Sequence, residues 1–247
     1  MTRGVRQIVR FNWPFYAGAV IAVALATLAI GRMPLDAGKR LALYGAIGLS
    51  ALWIVNSLVA SWIVYDRSRL TRWHWIRQAL GFEPDVWINI HAGLDESTPA
   101  VRALFSRARG RVFDIFDPGE MTEPSIARAR RGASNEVAPE AADFRHLPVT
   151  TGPTDVALLL LSAHELRTDE TRGALFAELR RVLGPGGRVV VAEHLRDWAN
   201  FMAFGPGFLH FHSRRAWTRC FERARFAIES EFSITPFVRV FVLRRLT

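Results

Sequence analysis

Four of the seven histidines stand where a chain could use them for proton transfer or ligation. His164 ends the run "DVALLLLSAH" and His194 ends "RVVVAEH", so each follows a strand-like apolar segment. Histidine, with an ordinary pKa of about 6.5, can accept or return a proton near neutrality. Glu165 could orient His164, although adjacent side chains usually point apart. His210 and His212 in "FGPGFLHFHSRRAW" would share a face if extended. With His164 and Glu193 they are the right types for a metal site. Their spacing is only suggestive; aromatic packing suits the stretch better, and no metal is expected.

The segment "NIHAGLDESTP", residues 89–99, is the second chemical candidate. It follows the apolar run 86–88 and precedes a helix-like stretch, where a nucleotide-binding fold carries its glycine-rich turn. It holds one glycine, Gly93. Either a reduced loop binds a nucleotide-like cofactor, or the turn only joins a strand to a helix. Ser97 or Thr98, before Pro99, has the chemistry to cap that helix. Asp95 and Glu96 read equally well as acids at a helix start.

These residues need a scaffold, and from Phe82 onward the pattern supplies one. Apolar runs recur at 86–90, 111–115, 155–161 and 188–193 with helix-like segments between them. Such continuous runs imply parallel strands covered on both faces, an α/β fold. In 172–183, Leu175, Leu179 and Val182 share a helical face that stops at "GPGG". A helix near 214–226 and two closing strands, 227–234 and 237–245, complete the reading. The only biased tract is the Arg- and Ala-rich 127–142. In such a sheet ligands bind outside the carboxyl ends of the strands. "NIHAGLDE", "DIFDP", "ADFRHLP" and "LSAHELR" fall there in order.

From about Glu83 to Arg245 the chain resembles class I S-adenosylmethionine-dependent methyltransferases of the quinone and small-molecule type. The resemblance rests on "ADFRHLPVTTGPTDVALLLLSAHELR" and "ELRRVLGPGGRVVVAEH" in their order and spacing. It implies a Rossmann-like seven-stranded sheet and S-adenosyl-L-methionine as cofactor. The family's glycine motif falls on Asn89 to Asp95, where only the middle glycine, Gly93, survives. By resemblance Asn89, His91, Gly93 and Ser162 line the cofactor, Asp114 binds the ribose hydroxyls with Asp117 as rival, and Asp143 lies near the adenine. The catalytic candidates are His164 and, second, His194, each placed to take a proton from the methyl acceptor. Phe201, Met202, Phe204, Phe208 and Phe211 would form an apolar acceptor pocket.

The first eighty residues differ in kind. No charge occurs between Arg10 and Arg32 or between Arg40 and Asp66, leaving windows of 21 and 25 residues. About 20 apolar residues cross a hydrocarbon core of roughly 30 Å. "RMPLDAGK" between them suits a reversal, so 1–80 reads as a transmembrane hairpin with a basic juxtamembrane segment, and 81–247 as the methyltransferase domain. Arginines flanking the hairpin place both ends in the cytoplasm, at the inner membrane. Leu70, Trp73, Ile76 and Leu80 would share a face of a helix lying on lipid headgroups, and an ordinary exposed connector suits the stretch equally well. The net charge of +9 comes almost wholly from this region: 1–80 hold ten Lys or Arg against two acids, and 81–247 hold 22 against 21. A balanced domain without a basic face is no nucleic-acid reader. The lone Cys220 makes no internal disulfide and suits a reducing compartment. The expected partner is a hydrophobic or lipid-like small molecule; oligomeric state is open. The rival reading is a binding or scaffold protein that keeps the fold without catalysis.

Overall fold

The computed structural model describes residues 3–132 and 138–246, so part of the Arg- and Ala-rich tract lies outside the described residues. Helices α1 (Arg3–Arg32) and α2 (Ala37–Trp62) run back along each other. Tyr16 and Ser57 meet at 3.2 Å midway, and the amides of Gly4 and Val5 donate to Asp66 at the base. Asp36 caps α2 by accepting from the Lys39 amide, the reversal expected of "RMPLDAGK". Both helices are long and apolar enough to cross a membrane, and their most apolar windows are only 6% and 17% buried. A core hairpin would be covered; this one turns Phe15, Leu25, Leu41 and Leu52 outward.

Beyond α2 the backbone forms a π turn (Ile63–Arg67), a 3-10 turn (Leu70–Arg72) and the short helix α3 (Trp75–Leu80). Neither a headgroup helix nor an exposed connector forms here. Trp73 adopts a left-handed conformation, φ 56°, which breaks any single helix through the stretch. Leu70, Trp73, Trp75 and Ile76 are buried against Trp87, Val101, Leu104, Val156 and Val190 on one face of the sheet. Burying a large apolar side chain there is worth about 1.5–3 kcal/mol relative to leaving it in water.

Then follow β1 (Val86–His91), α4 (Thr98–Leu104), β2 (Arg109–Asp114), α5 (Pro124–Gly132), β3 (Glu140–Ala141), β4 (Thr154–Leu160), α6 (Asp169–Val182) and β5 (Leu183–His194). α7 (Trp198–Phe204), α8 (Arg214–Arg223), β6 (Phe226–Thr235) and β7 (Val238–Arg245) complete the chain. The seven strands lie in the order β3-β2-β1-β4-β5-β7-β6. β1 to β5 are parallel, while β7 runs antiparallel between β5 and β6. The expected α/β sheet is therefore present, with β5 starting earlier than the apolar run suggests and β3 reduced to two residues.

Strand order reverses between β1 and β4, the crevice where such sheets bind ligands. The hairpin sits at this carboxyl end. Gln7 donates to Glu96 at 2.6 Å, and Arg128 of α5 donates to the carbonyl of Phe11 at 2.5 Å. Trp53 meets Phe201 of α7 edge-on at 5.4 Å, and the Asn56 amide reaches the Met202 carbonyl at 3.5 Å.

Candidate active site

His164 lies in a 3-10 turn (Ala163–Glu165) directly after β4. Glu193, fully buried near the end of neighbouring β5, holds it in place. Its Oε1 accepts from the amides of Ala163 (2.8 Å) and His164 (3.2 Å), and its Oε2 accepts from His164 Nδ1 at 2.7 Å. The carboxylate thus puts a proton on Nδ1 and leaves Nε2 as the exchanging nitrogen, 3.4 Å from Glu165 Oε1. Burial opposes charge on the ring, but the charge of Glu193 and the hydrogen bonds to Glu165 and Glu193 outweigh it, raising the pKa to about 10. Glu193 is the orienting group that sequence reasoning missed. Its signal was a carboxylate at the end of an otherwise apolar central strand.

His194, one residue on, is built for neutrality. Its Nδ1 must donate to the carbonyl of Phe237 (2.8 Å), so Nε2 accepts from the Tyr65 hydroxyl at 3.3 Å. Burial, with the charge on His164, lowers its pKa to about 4. Phe211 stacks on its ring at 4.9 Å and Phe204 meets it edge-on at 5.7 Å. Phe201 and Phe208 pair further along α7 and the following 3-10 turn. Trp53 of α2 meets Phe201 edge-on, so these rings pack in pairs beside α2, while Met202 is exposed. His210 and His212 part company, contrary to the extended reading, because a 3-10 turn (Gly205–His210) ends between them. His210 packs edge-on to His164 at 5.3 Å, whereas buried His212 accepts from Arg172 at 2.8 Å.

On the β1 side, Asn89 is buried and donates to Ser97 Oγ (2.9 Å) and Thr98 Oγ1 (2.8 Å). Asp95, not Ser97 or Thr98, caps α4: its Oδ1 takes the amides of Ser97 and Thr98, both at 3.0 Å. A carboxylate two residues upstream reaches both amides at once, which neither hydroxyl does. His91 accepts from the Gly93 amide through Nδ1 at 3.0 Å, leaving a protonated, buried Nε2 without a partner. Gly93 has φ 104°, and a Cβ there would lie 2.1 Å from the guanidinium of Arg130. That arginine, on α5, pairs with Asp114 at 2.7 Å and lies over the Phe116 ring. Gly93, Arg130 and Asp114 thus form one layer above the carboxyl ends of β1 and β2. Asp117 faces away, accepting from the Gly119 amide at 2.8 Å beside Arg145. Ser162 donates to the Ile90 carbonyl at 2.8 Å, tying β4 to β1. Asp143 follows β3 by two residues, half exposed, with its carboxylate accepting from the Arg145 amide at 2.8 Å.

The model of a family described as "Methyltransferase domain" matches residues 105–191. Among solved structures, the pyocyanin biosynthetic protein PhzM is 20% identical, with 99% of this chain and 74% of that one covered and a TM-score of 0.58. A SAM-dependent methyltransferase from Aquifex aeolicus is 15% identical, covering 79% and 97%, with a TM-score of 0.53. Residues 105–191 thus match a methyltransferase domain, and the chain has the fold of S-adenosylmethionine-dependent methyltransferases. A geranyl diphosphate C-methyltransferase from Streptomyces coelicolor A3(2), solved with Mg2+, geranyl diphosphate and S-adenosyl-L-homocysteine, is 15% identical over 70% of this chain and 77% of that one, with a TM-score of 0.51. At these identities the likeness establishes the fold. No curated protein sequence matches the chain.

The side-chain-free face of Gly93, the unpartnered His91 Nε2 and the Asp114 carboxylate would suit a polar ligand with hydroxyl groups. The Arg130 side chain occupies that face, and it is flexible and partly exposed.

Proposed function

We propose that the chain methylates a hydrophobic, lipid-like acceptor at the cytoplasmic face of the inner membrane, with α1 and α2 as a two-pass anchor. The observation that carries this reading is the seating of the hairpin on the carboxyl end of the sheet. α2 packs on α7 through Trp53, and Tyr65, just beyond α2, hydrogen-bonds His194. Trp53 lies nine residues before Trp62, about 13 Å along the helix from its domain end. If α2 crosses the bilayer, α7 and its exposed Trp198 and Met202 lie at the depth of the lipid headgroups and upper acyl chains. An acceptor then enters sideways from the leaflet.

Gly93, His91 and Asp114 would hold S-adenosylmethionine once Arg130 swings aside, and Asn89 and Ser162 would keep the turn and strands around it in place. Asp143 would lie on the adenine side. The cofactor supplies a sulfonium-bound methyl group. His164, held by Glu193, receives the proton of the acceptor at Nε2, while His194 shapes the apolar wall. Orientation is the main contribution of the protein to such a transfer.

Full-length protein in nanodiscs of bacterial lipid, given methyl-labelled S-adenosylmethionine and a membrane extract, should move label into the organic phase. Label appearing only in water-soluble products would remove the lipid-like acceptor. A second reading, a binding protein without turnover, is favoured by the Arg130–Asp114 pair across the cofactor face. It requires the labelled methyl to stay on the cofactor with every extract tried.

A further inference from the structure

We propose that His164, Glu165 and His210 form a binding site for a divalent transition-metal ion of zinc type, with Glu193 as its outer support. The sequence offered His164, Glu193, His210 and His212 as ligand types without expecting a metal; the 3-10 turn after α7 instead brings His210 to His164 and Glu165.

Each of the three residues offers a ligand atom, all lying within 4.8 Å of one another. Two donors on a tetrahedral zinc stand about 3.4 Å apart, given bonds of roughly 2.0–2.1 Å. His164 Nε2 and Glu165 Oε1 are separated by 3.4 Å. Two imidazoles on one such ion place their ring centres about 5 Å apart by the same bond lengths, and those of His164 and His210 are 5.3 Å apart and nearly perpendicular. Glu165 Oε2 is buried without a partner, so the carboxylate has unmet demand for a cation or donor.

The surroundings follow the pattern of metal sites, in which a carboxylate takes the other nitrogen of a ligating histidine. Glu193 does so for His164 at 2.7 Å and is itself locked by two backbone amides. Glu123 stands 3.5 Å from His210 Nδ1. Arg167 adds a positive charge nearby but is tied to the carbonyls of His164 and His210, bracing both ligands from behind. Three carboxylates against one guanidinium leave room for a dication. Two nitrogens and one oxygen select zinc or cobalt over magnesium or calcium. Three protein ligands leave a position open, and there a hydroxyl acceptor would be acidified directly and lose its proton to solvent, with His164 Nε2 as a ligand instead of a proton acceptor. That last role rests on the proposed function; the binding itself does not.

The test uses full-length protein in detergent, stripped with chelator and titrated with Co2+ and then Zn2+. One equivalent of Co2+ should give the visible bands of a low-coordinate nitrogen and oxygen site, and Zn2+ should displace it. His210→Gln and Glu165→Gln should each abolish the bands, Glu193→Gln should weaken binding about 10- to 100-fold, and exposed His146→Gln should leave it unchanged. His210→Cys keeps a ligand atom and should restore binding with an added sulfur-to-cobalt band, which separates lost ligation from lost folding. No stoichiometric binding at micromolar metal, or binding indifferent to His210 and Glu165, overturns the site. Calorimetry with S-adenosylhomocysteine on the same sample keeps failure of the metal site distinct from failure of the methyltransferase reading.

Discussion

His164, just after β4, and His194, at the end of β5, are pushed in opposite directions, the first towards its cation and the second towards neutrality, because one faces two carboxylates and the other a carbonyl and a phenol. A proton acceptor whose pKa is raised to about 10 must first lose its own proton. In metal-free protein the rate at saturating cofactor should therefore climb about tenfold per pH unit towards 10, not level off near the ordinary histidine value. His164→Ala should lose ~10² to 10⁴ of that rate and the slope with it; a slope that survives moves the role to another group. Arg130 makes a second prediction. A partly exposed ion pair is worth roughly 0–1 kcal/mol, so Arg130→Ala should tighten S-adenosylhomocysteine binding by up to about fivefold, while Gly93→Val should abolish it. Weaker binding by the alanine variant, read by calorimetry, would make Arg130 a cofactor contact instead of an occupant.

α7 is the element on which acceptor access turns. It starts at the cap of Asp197, whose carboxylate takes the Asn200 amide at 2.9 Å, and ends at Gly205 with φ 54°. A Cβ on Gly205 would press on the Trp53 ring at 3.3 Å, and the backbone there suits glycine alone. Gly205→Val should loosen α7 from α2, raising the KM for the acceptor severalfold while leaving cofactor affinity as it was. A parallel loss of cofactor binding would mean that α7 supports the whole sheet end and not the acceptor wall. Against Trp87, Val156 and Val190 of the sheet, the residues from Val64 to Ile76 show how strongly local amphipathic pattern yields to tertiary context.

At the scale of the molecule, topology can be tested with the chain's own chemistry. Burial, more than the opposing field of Arg172, raises the Cys220 thiol to about 12, so native protein offers little background to a thiol reagent. Asp36→Cys, in the turn between α1 and α2, should react with a membrane-impermeant maleimide added outside intact spheroplasts. Labelling only after lysis would put the turn in the cytoplasm, and extraction of the unmodified protein by carbonate would show that the helices do not span.

Residue order alone made the strand and helix alternation, the two apolar windows and the placement of His164, Gly93 and Asp114 at strand ends legible, since these follow from periodicities of two and 3.6 and from runs of apolar residues. Side-chain partnership was decided elsewhere. Glu193 lies 29 positions from His164 and Arg130 lies 16 from Asp114, and no local pattern pairs them. The same holds for His210, which a turn swings to His164, and for Tyr65, which reaches His194 across 129 positions. Charge, tautomer and ligand sets depend on distances of a few ångströms between such residues. Only the packed sheet, with the hairpin seated on its carboxyl end, sets those distances.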